Sequence, residues 1–272
     1  MKERNKSFSF KKQYSLLLEM VRTDFKLRYQ ASVLGYVWSV LKPLFLFAIL
    51  YIVFSKFLRL GAGVPNYAIS LLLGIVIWNF FAEATAGGLK SVVGKGNLIR
   101  KIYIPRYLIP ISTVASATIN MFLNLIVVFI FVLFASNTAL GWSTIIIFPL
   151  LVVQLIIFTT GVSFFLAAVY VKFRDIDYIW EVARQALFYS IPIIYPLSRI
   201  PYDWAQKIIM TNPIAEIVQG MRKVVTYNGT QSINDVFGSP FAIFIPLSIT
   251  LLAVILGITY FNKHSKNFAE NV

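Results

Sequence analysis

Six apolar runs divide the chain, at 35–57, 67–89, 107–135, 144–171, 178–197 and 241–261. Each is near the ~20 residues an α-helix needs to cross a bilayer. Ahead of them the pattern changes. Over 14–29, Leu17, Leu18, Val21, Phe25 and Tyr29 recur at helical spacing, and Glu19, Arg22, Lys26 and Arg28 take the other side. That segment is too charged to span, so it predicts an amphipathic helix lying on a membrane surface. Residues 1–12 are basic and polar and read as a disordered or surface-bound tail. The expected organisation is an opening segment, 1–34, followed by a six-span transmembrane domain, 35–272. The fold class is all-α integral membrane.

Two connecting segments are more than loops. In 90–106, Gly94 and Gly96 loosen the backbone, and Asn97 is placed to cap a helix with its side-chain oxygen. Leu98, Ile99 and Ile102 then share one face, with Arg100 and Lys101 beside it, and Pro105 ends the turn. The pattern predicts a two-turn amphipathic helix at the membrane surface. It reads either as a transmitter of force from a soluble partner or as a loop whose charges set topology. In 198–240, Pro196 and Pro201, with Pro192 before them, interrupt the end of the fifth run. Asn212-Pro213 is an N-cap with a proline at the first helical position. Ile214, Ile217, Val218 and Met221 follow as a stripe, with Glu216, Gln219, Arg222 and Lys223 opposite. This predicts a helix returning into the outer leaflet, either as a gate or as a packing cap over the bundle.

Composition agrees with a membrane protein. Of the 272 residues 58% are hydrophobic and 13% charged, and the net charge is +14. The positive-inside rule accounts for that charge better than nucleic acid does. With both ends cytoplasmic, Lys56, Arg59, Arg199, Lys207, Arg222 and Lys223 fall outside and the other nineteen of the 25 basic residues fall inside. Cysteine is absent, which removes thiol chemistry and disulfides. The stretch Gly88–Gly96 lacks the spacing and the Ser/Thr of a phosphate loop, so nucleotide binding by that motif is not expected. Asp175 and Asp177, next to Lys172 and Arg174, read as a charge-balanced turn rather than a catalytic pair. His264, beside lysines, is a poor candidate for metal binding.

Polar groups within the apolar runs are costly in lipid and therefore informative. Lys42-Pro43 lies inside the first run, and its ammonium is placed to snorkel or to line a cavity. Asn79 and Glu83 are four apart on the second run, Asn120 and Asn124 four apart on the third. Gln154 is on the fourth, and Glu181 and Arg184 open the fifth. They serve either as helix-to-helix glue or as the lining of a hydrated path. Aromatics near them (Tyr36, Trp38, Trp78, Phe81, Phe188, Tyr189 and Tyr195) are candidates for stacking on sugar rings, or are lipid-facing belts. Glu83 is the best single candidate for a site inside a lumen.

Several stretches resemble one family. Leu27-Arg-Tyr-Gln-Ala-Ser-Val-Leu-Gly-Tyr-Val-Trp-Ser-Val-Leu-Lys-Pro-Leu44 is similar to the start of the first span in ABC-type polysaccharide export permeases, the membrane subunits that serve O-antigen, teichoic acid and related glycans. Phe173-Arg-Asp-Ile-Asp-Tyr178, Ile191-Pro-Ile-Ile-Tyr-Pro196 and Asn212-Pro-Ile with Arg222 resemble later motifs of that family, in the same order. The resemblance implies a homodimer in the cytoplasmic membrane that carries a lipid-linked polysaccharide. ATP and magnesium would sit on a separate ATP-binding cassette subunit, and no cofactor on this chain. It implies a coupling helix over 97–104, with Asn97, Leu98, Ile99, Arg100, Lys101, Ile102 and Tyr103 at the docking surface. It also implies an interfacial helix (Arg22, Lys26, Arg28, Tyr29) near substrate entry, and outer gate helices at Pro196, Pro201, Asn212, Pro213 and Arg222. A permease for a drug, lipid or peptide, or a membrane-embedded glycan enzyme, are the rival expectations.

Overall fold

The computed structural model describes residues 10–29, 34–101, 104–136, 138–266 and 268; the side chains of 27–29 are outside that set. Eleven α-helices are described: α1 (Phe10–Tyr29), α2 (Trp38–Leu50), α3 (Tyr67–Gly94), α4 (Gly96–Lys101), α5 (Leu108–Leu133), α6 (Trp142–Lys172), α7 (Ile176–Ser190), α8 (Asp203–Thr211), α9 (Pro213–Val225), α10 (Ile233–Phe237) and α11 (Phe244–Ser265). There are no strands among the described residues. Five helical stretches are long and apolar enough to cross a membrane: Gly35–Phe57, Tyr67–Gly94, Leu108–Leu133, Trp142–Lys172 and Pro240–Ser265.

The bundle is built on α3. Its most apolar stretch is 78% buried, against 6% for Gly35–Phe57. Apolar residues surround α3 on every side, as a helix packed on every side requires, and α5 and α6 flank it. On the far side of α6 lies α11, at very close range. A Cβ on Gly257 would lie 2.1 Å from the Gly161 carbonyl oxygen, so only glycine permits that crossing.

Helix α2 carries Pro43 in its interior and still does not break. Proline leaves the carbonyl four residues back without its helical donor. That carbonyl belongs to Ser39, and it accepts instead from Asn124 Nδ2 of α5 at 3.0 Å. The same amide also donates to the Asn120 carbonyl at 2.8 Å. After Leu50 the helix widens into a π-helix, Tyr51–Phe57.

Three expectations need correction. The run 178–197 is not one continuous span. Helix α7 has 15 residues, about 22 Å at 1.5 Å per residue, short of the ~30 Å apolar core. It stops because Ile191 precedes Pro192 and is extended. Next, α1 is not simply laid on a surface. Met20 is buried in a cluster with Val92, Leu108, Ile109, Phe261 and Phe268, with Leu16 and Leu17 partly buried against it, and Val21 is buried as well. Leu18, from the expected stripe, is exposed. Finally, α9 has no open polar face. Glu216, Gln219 and Arg222 are buried along with Ile214, Ile217, Val218 and Met221, because α6, α3 and α8 supply partners all round.

Candidate functional site

A trough runs along the flank of the bundle between α2, α3, α5 and α7. Its larger part is a cavity of about 580 Å³ that includes Trp38, Lys42, Asn79, Glu83, Asn120 and Arg184 in its wall. A second cavity of about 310 Å³ shares Leu46, Asn79, Ala82 and Arg184 with it and adds Trp78, Glu181, Phe188 and Tyr189. Both follow from helical spacing: residues four apart on α3, Asn79 and Glu83, share the face turned to α2 and α7.

The polar groups of the trough are partly paired. Asn120 Nδ2 donates to Glu83 Oε1 at 2.8 Å. Asn120 Oδ1 and Arg184 Nε are buried without hydrogen-bond partners among the described residues. An orphaned acceptor and an orphaned donor at membrane depth are costly unless water or a passing polar solute meets them. The trough therefore combines aromatic rings with polar groups whose hydrogen bonds are incomplete.

Helix α7 is held against α3 at three heights. Asp177 pairs with Lys90 at 2.7 Å, Trp180 Nε1 donates to Thr85 Oγ1 at 3.3 Å, and Phe188 packs on Trp78 with ring centres 5.6 Å apart. Its opposite face is open: Tyr178, Ile179, Val182 and Tyr189 are all exposed.

At the α1 end the bundle carries a joint. Lys95, between α3 and α4, donates to Asp24 of α1 at 2.7 Å and to Ser112 of α5 at 3.1 Å. One side chain thus ties three helices together. Tyr107 adds a bond to Gln13 of α1 at 2.8 Å, and Arg106 bonds the Ser265 carbonyl at the end of α11. Helix α4 starts at Gly96, and the Lys95 carbonyl accepts from Leu98 and Ile99, so Asn97 lies within the first turn rather than capping it. Ile99 packs toward the bundle, Leu98 is half-buried, and Asn97, Arg100 and Lys101 are exposed. Ile102 and Tyr103 lie outside the described residues.

At the opposite end Arg222 of α9 holds the broken end of α7. Its Nε donates to the Ser70 carbonyl at 3.1 Å, Nη1 to Pro192 at 2.5 Å and Nη2 to Ile193 at 2.6 Å. The break frees the Pro192 and Ile193 carbonyls, and the guanidinium collects them along with the Ser70 carbonyl of α3. Asn212 caps α9 by accepting from the Ile214 N–H at 2.9 Å, with Pro213 behind it. Glu216 accepts from Gln154 of α6 at 3.0 Å.

The remaining sequence candidates fall in different places. Trp38, Trp78, Glu83, Phe188 and Tyr189 come together in the trough. Phe81 does not: it is buried in the core, stacked on Phe158 with ring centres 5.9 Å apart. Tyr36 stacks on Phe25 of α1. Tyr195 and Pro196 belong to a separate cavity at the α9 end, and Pro201 lies in the link to α8. Arg22 and Lys26 are exposed on α1, and the side chains of Arg28 and Tyr29 lie outside the described set. Lys42, Asn79, Asn120 and Arg184, singled out by their cost in lipid as glue or path lining, also lie in the trough wall. Asp24 and Lys95 are the residues that the sequence reading did not single out. Asp24 and Lys95 are 71 positions apart, and no local pattern links them.

The chain matches the family of ABC-2 type transporters over residues 15–226. It is 32% identical over 261 residues to a Klebsiella pneumoniae protein named O-antigen export system permease protein RfbA, covering 94% of this chain and 95% of the relative. A second Klebsiella pneumoniae protein of that name is 29% identical over the same length and shares. One from Myxococcus xanthus is 27% identical over 213 residues, 77% of this chain and 79% of the relative.

Proposed function

The chain belongs to the ABC-2 type transporter family, and from that premise we propose how it works as the transmembrane subunit of an ATP-driven polysaccharide exporter. It is a multi-pass membrane protein and a transport subunit, not an enzyme; an ATP-binding cassette partner supplies the hydrolysis. The relatives are named for O-antigen export, and a cell-surface glycan of that kind is the proposed cargo, carried on a lipid that stays in the bilayer.

In this reading the α1 and α4 end faces the cytoplasm, in the cytoplasmic membrane, because the basic residues concentrate there. Asn97, Arg100 and Lys101 project from α4 toward the ATPase, where ATP and magnesium bind. Two copies face each other across their troughs. Trp38, Trp78, Phe188 and Tyr189 offer flat faces on which sugar rings slide, and Lys42, Asn79, Glu83, Asn120 and Arg184 meet the hydroxyl groups. The short α7 and the turn-and-bend stretch 191–196 complete a sixth crossing, and α8 and α9 close the outer end.

The observation that carries the proposal is the trough itself, with aromatic rings and orphaned polar atoms at membrane depth. The test is export in a strain that depends on this chain. Replacing Trp38 and Phe188 by Ala is expected to abolish surface glycan while the complex with the ATPase still assembles and hydrolyses ATP. Full export from that variant would overturn the trough as the path. Isolation of the chain without any ATPase would overturn the subunit assignment.

A further inference from the structure

A slot of about 280 Å³ runs along the seam between α5 and α6, apart from the trough. Ile111, Val114, Ala115 and Thr118 of α5 form one wall, and Ile156 and Thr160 of α6 the other. The two threonines are the polar side chains among them, and both hydroxyls are spent on their own helices. Thr118 donates to the Val114 carbonyl at 2.8 Å and Thr160 to the Ile156 carbonyl at 2.7 Å. The wall therefore keeps no unspent side-chain donor, and it selects hydrocarbon over a polar solute.

Depth and width narrow the choice. Ile111 lies four residues past Tyr107, about 6 Å at 1.5 Å per residue, and Thr118 lies about 16 Å past it. Half of the ~30 Å apolar core is about 15 Å, so the slot runs from just below one membrane surface to near the mid-plane. Spread over the roughly 10 Å from Ile111 to Thr118, its volume gives a cross-section of about 28 Å². An α-helix about 10 Å across needs about 80 Å². One hydrocarbon chain fits; a helix does not.

The head of the slot is basic. Tyr107, exposed at the start of α5, bonds Gln13 of α1 at 2.8 Å, which brings the exposed Lys12 to that end. Arg106 bonds the Ser265 carbonyl, which brings the exposed Lys266 beside it. On α1 the acids stand further along. Glu19 is seven residues past Lys12, about 10 Å, and Asp24 is tied to Lys95. Three cations at the head of a slot for one hydrocarbon chain match the chemistry of an anionic phospholipid.

We propose that the α5–α6 slot holds one acyl chain of an anionic phospholipid whose phosphate sits among Lys12, Arg106 and Lys266. Assigning that lipid to the cytoplasmic leaflet rests on the orientation proposed above; the slot and its basic collar do not.

The test uses the chain with its ATP-binding partner in phosphatidylcholine vesicles that contain a trace of phosphatidylglycerol with a diazirine in one acyl chain. After irradiation, mass spectrometry maps the adducts. They are expected within 111–118 and 156–160, in excess of those on Ile145, Ile146 and Leu150, which are exposed on α6 without lining the slot. Unlabelled phosphatidylglycerol should suppress them, and added phosphatidylcholine should not. Lys12→Ala and Lys266→Ala should each weaken that competition about fivefold. Adducts spread evenly over the exposed apolar surface, equal competition by phosphatidylcholine, or collar variants without effect would each overturn the proposal. Displacement by an isoprenyl phosphate but not by phosphatidylglycerol would overturn it too, by giving the slot to another lipid. Export is judged separately, by surface glycan, so the two readings fail independently.

Discussion

At the scale of single residues, the chain repairs its own irregularities with side chains from other helices. Pro43 strips the Ser39 carbonyl of its helical donor, and Asn124 replaces that donor. The pairing makes a double-mutant cycle informative. Asn124→Leu should cost about 1 kcal/mol in the wild-type background. In a Pro43→Ala background the backbone N–H returns, so the same change should cost much less. Unfolding in detergent measures both, and equal costs in the two backgrounds would show that the amide does not serve the proline. The four-residue spacing of Asn120 and Asn124 was visible in the sequence as glue or path. The structure makes both of them bridges, Asn124 to the Ser39 carbonyl of α2 and Asn120 to Glu83 of α3. Asp235, outside the spans, offers a pH test. Lys223 at 2.6 Å, then Ser232 through its hydroxyl and its backbone N–H, pull its carboxyl down to about 2. The folded value lies below the ordinary 3.8, so this support is present above about pH 4 and is lost as pH falls through about 2. The protection factors of the α10 amides, which correct for the intrinsic pH dependence of exchange, should fall over that window, and in Asp235→Asn they should be low already at neutral pH. A flat profile in the wild type would show that the pair does not hold α10.

At the scale of elements, the Lys95 joint decides how movement at α4 spreads. Because Lys95 grips Asp24 and Ser112 together, a displacement of α4 is expected to carry α1 and α5 with it. Asp24→Lys and Lys95→Asp, each alone, place like charges at 2.7 Å spacing and should cut export at least tenfold with ATP hydrolysis retained. The double exchange restores the pair and should recover most of the export. Failure of the double variant to recover, with both proteins folded and assembled, would mean that the ion pair does not transmit. Five of the six apolar runs emerge as long helices, since an unbroken apolar surface about 20 residues long has few other stable forms in lipid. The sixth does not, although Pro192 and Pro196 signalled the break. What the pattern understated was its position, seven residues before the end of the run, and the guanidinium that stabilises it. Helix α9 looked amphipathic because its polar residues sit on one side. Their partners, Gln154, Ser70 and the 191–196 carbonyls, come from distant segments that periodicity along one helix does not report.

At the scale of the whole molecule, one flank is unfinished. Helix α2 and the outer face of α7 have little packed against them, and the trough between them holds groups that lipid does not satisfy. Elsewhere the exposed surface is what lipid wants: on α6, Ile145, Ile146, Leu150 and Val153 are exposed and purely apolar. The proposed arrangement puts a second copy of the chain on the trough flank and lipid on the other. Because the chain contains no cysteine, single cysteines can distinguish them. Tyr189 is 65% exposed beside the trough, and Ile146 is 64% exposed on α6, so accessibility is matched and only the neighbour differs. In native membranes Tyr189→Cys should form a disulfide-linked dimer on mild oxidation, and Ile146→Cys should stay monomeric. Adding ATP to the assembled complex should change the Tyr189→Cys yield, because opening a channel between the copies separates or rotates the two α7 faces. The reverse pattern, linkage through α6 and none through α7, would place lipid against the trough. Orphaned Asn120 and Arg184 atoms would then have to be met by water alone within one copy.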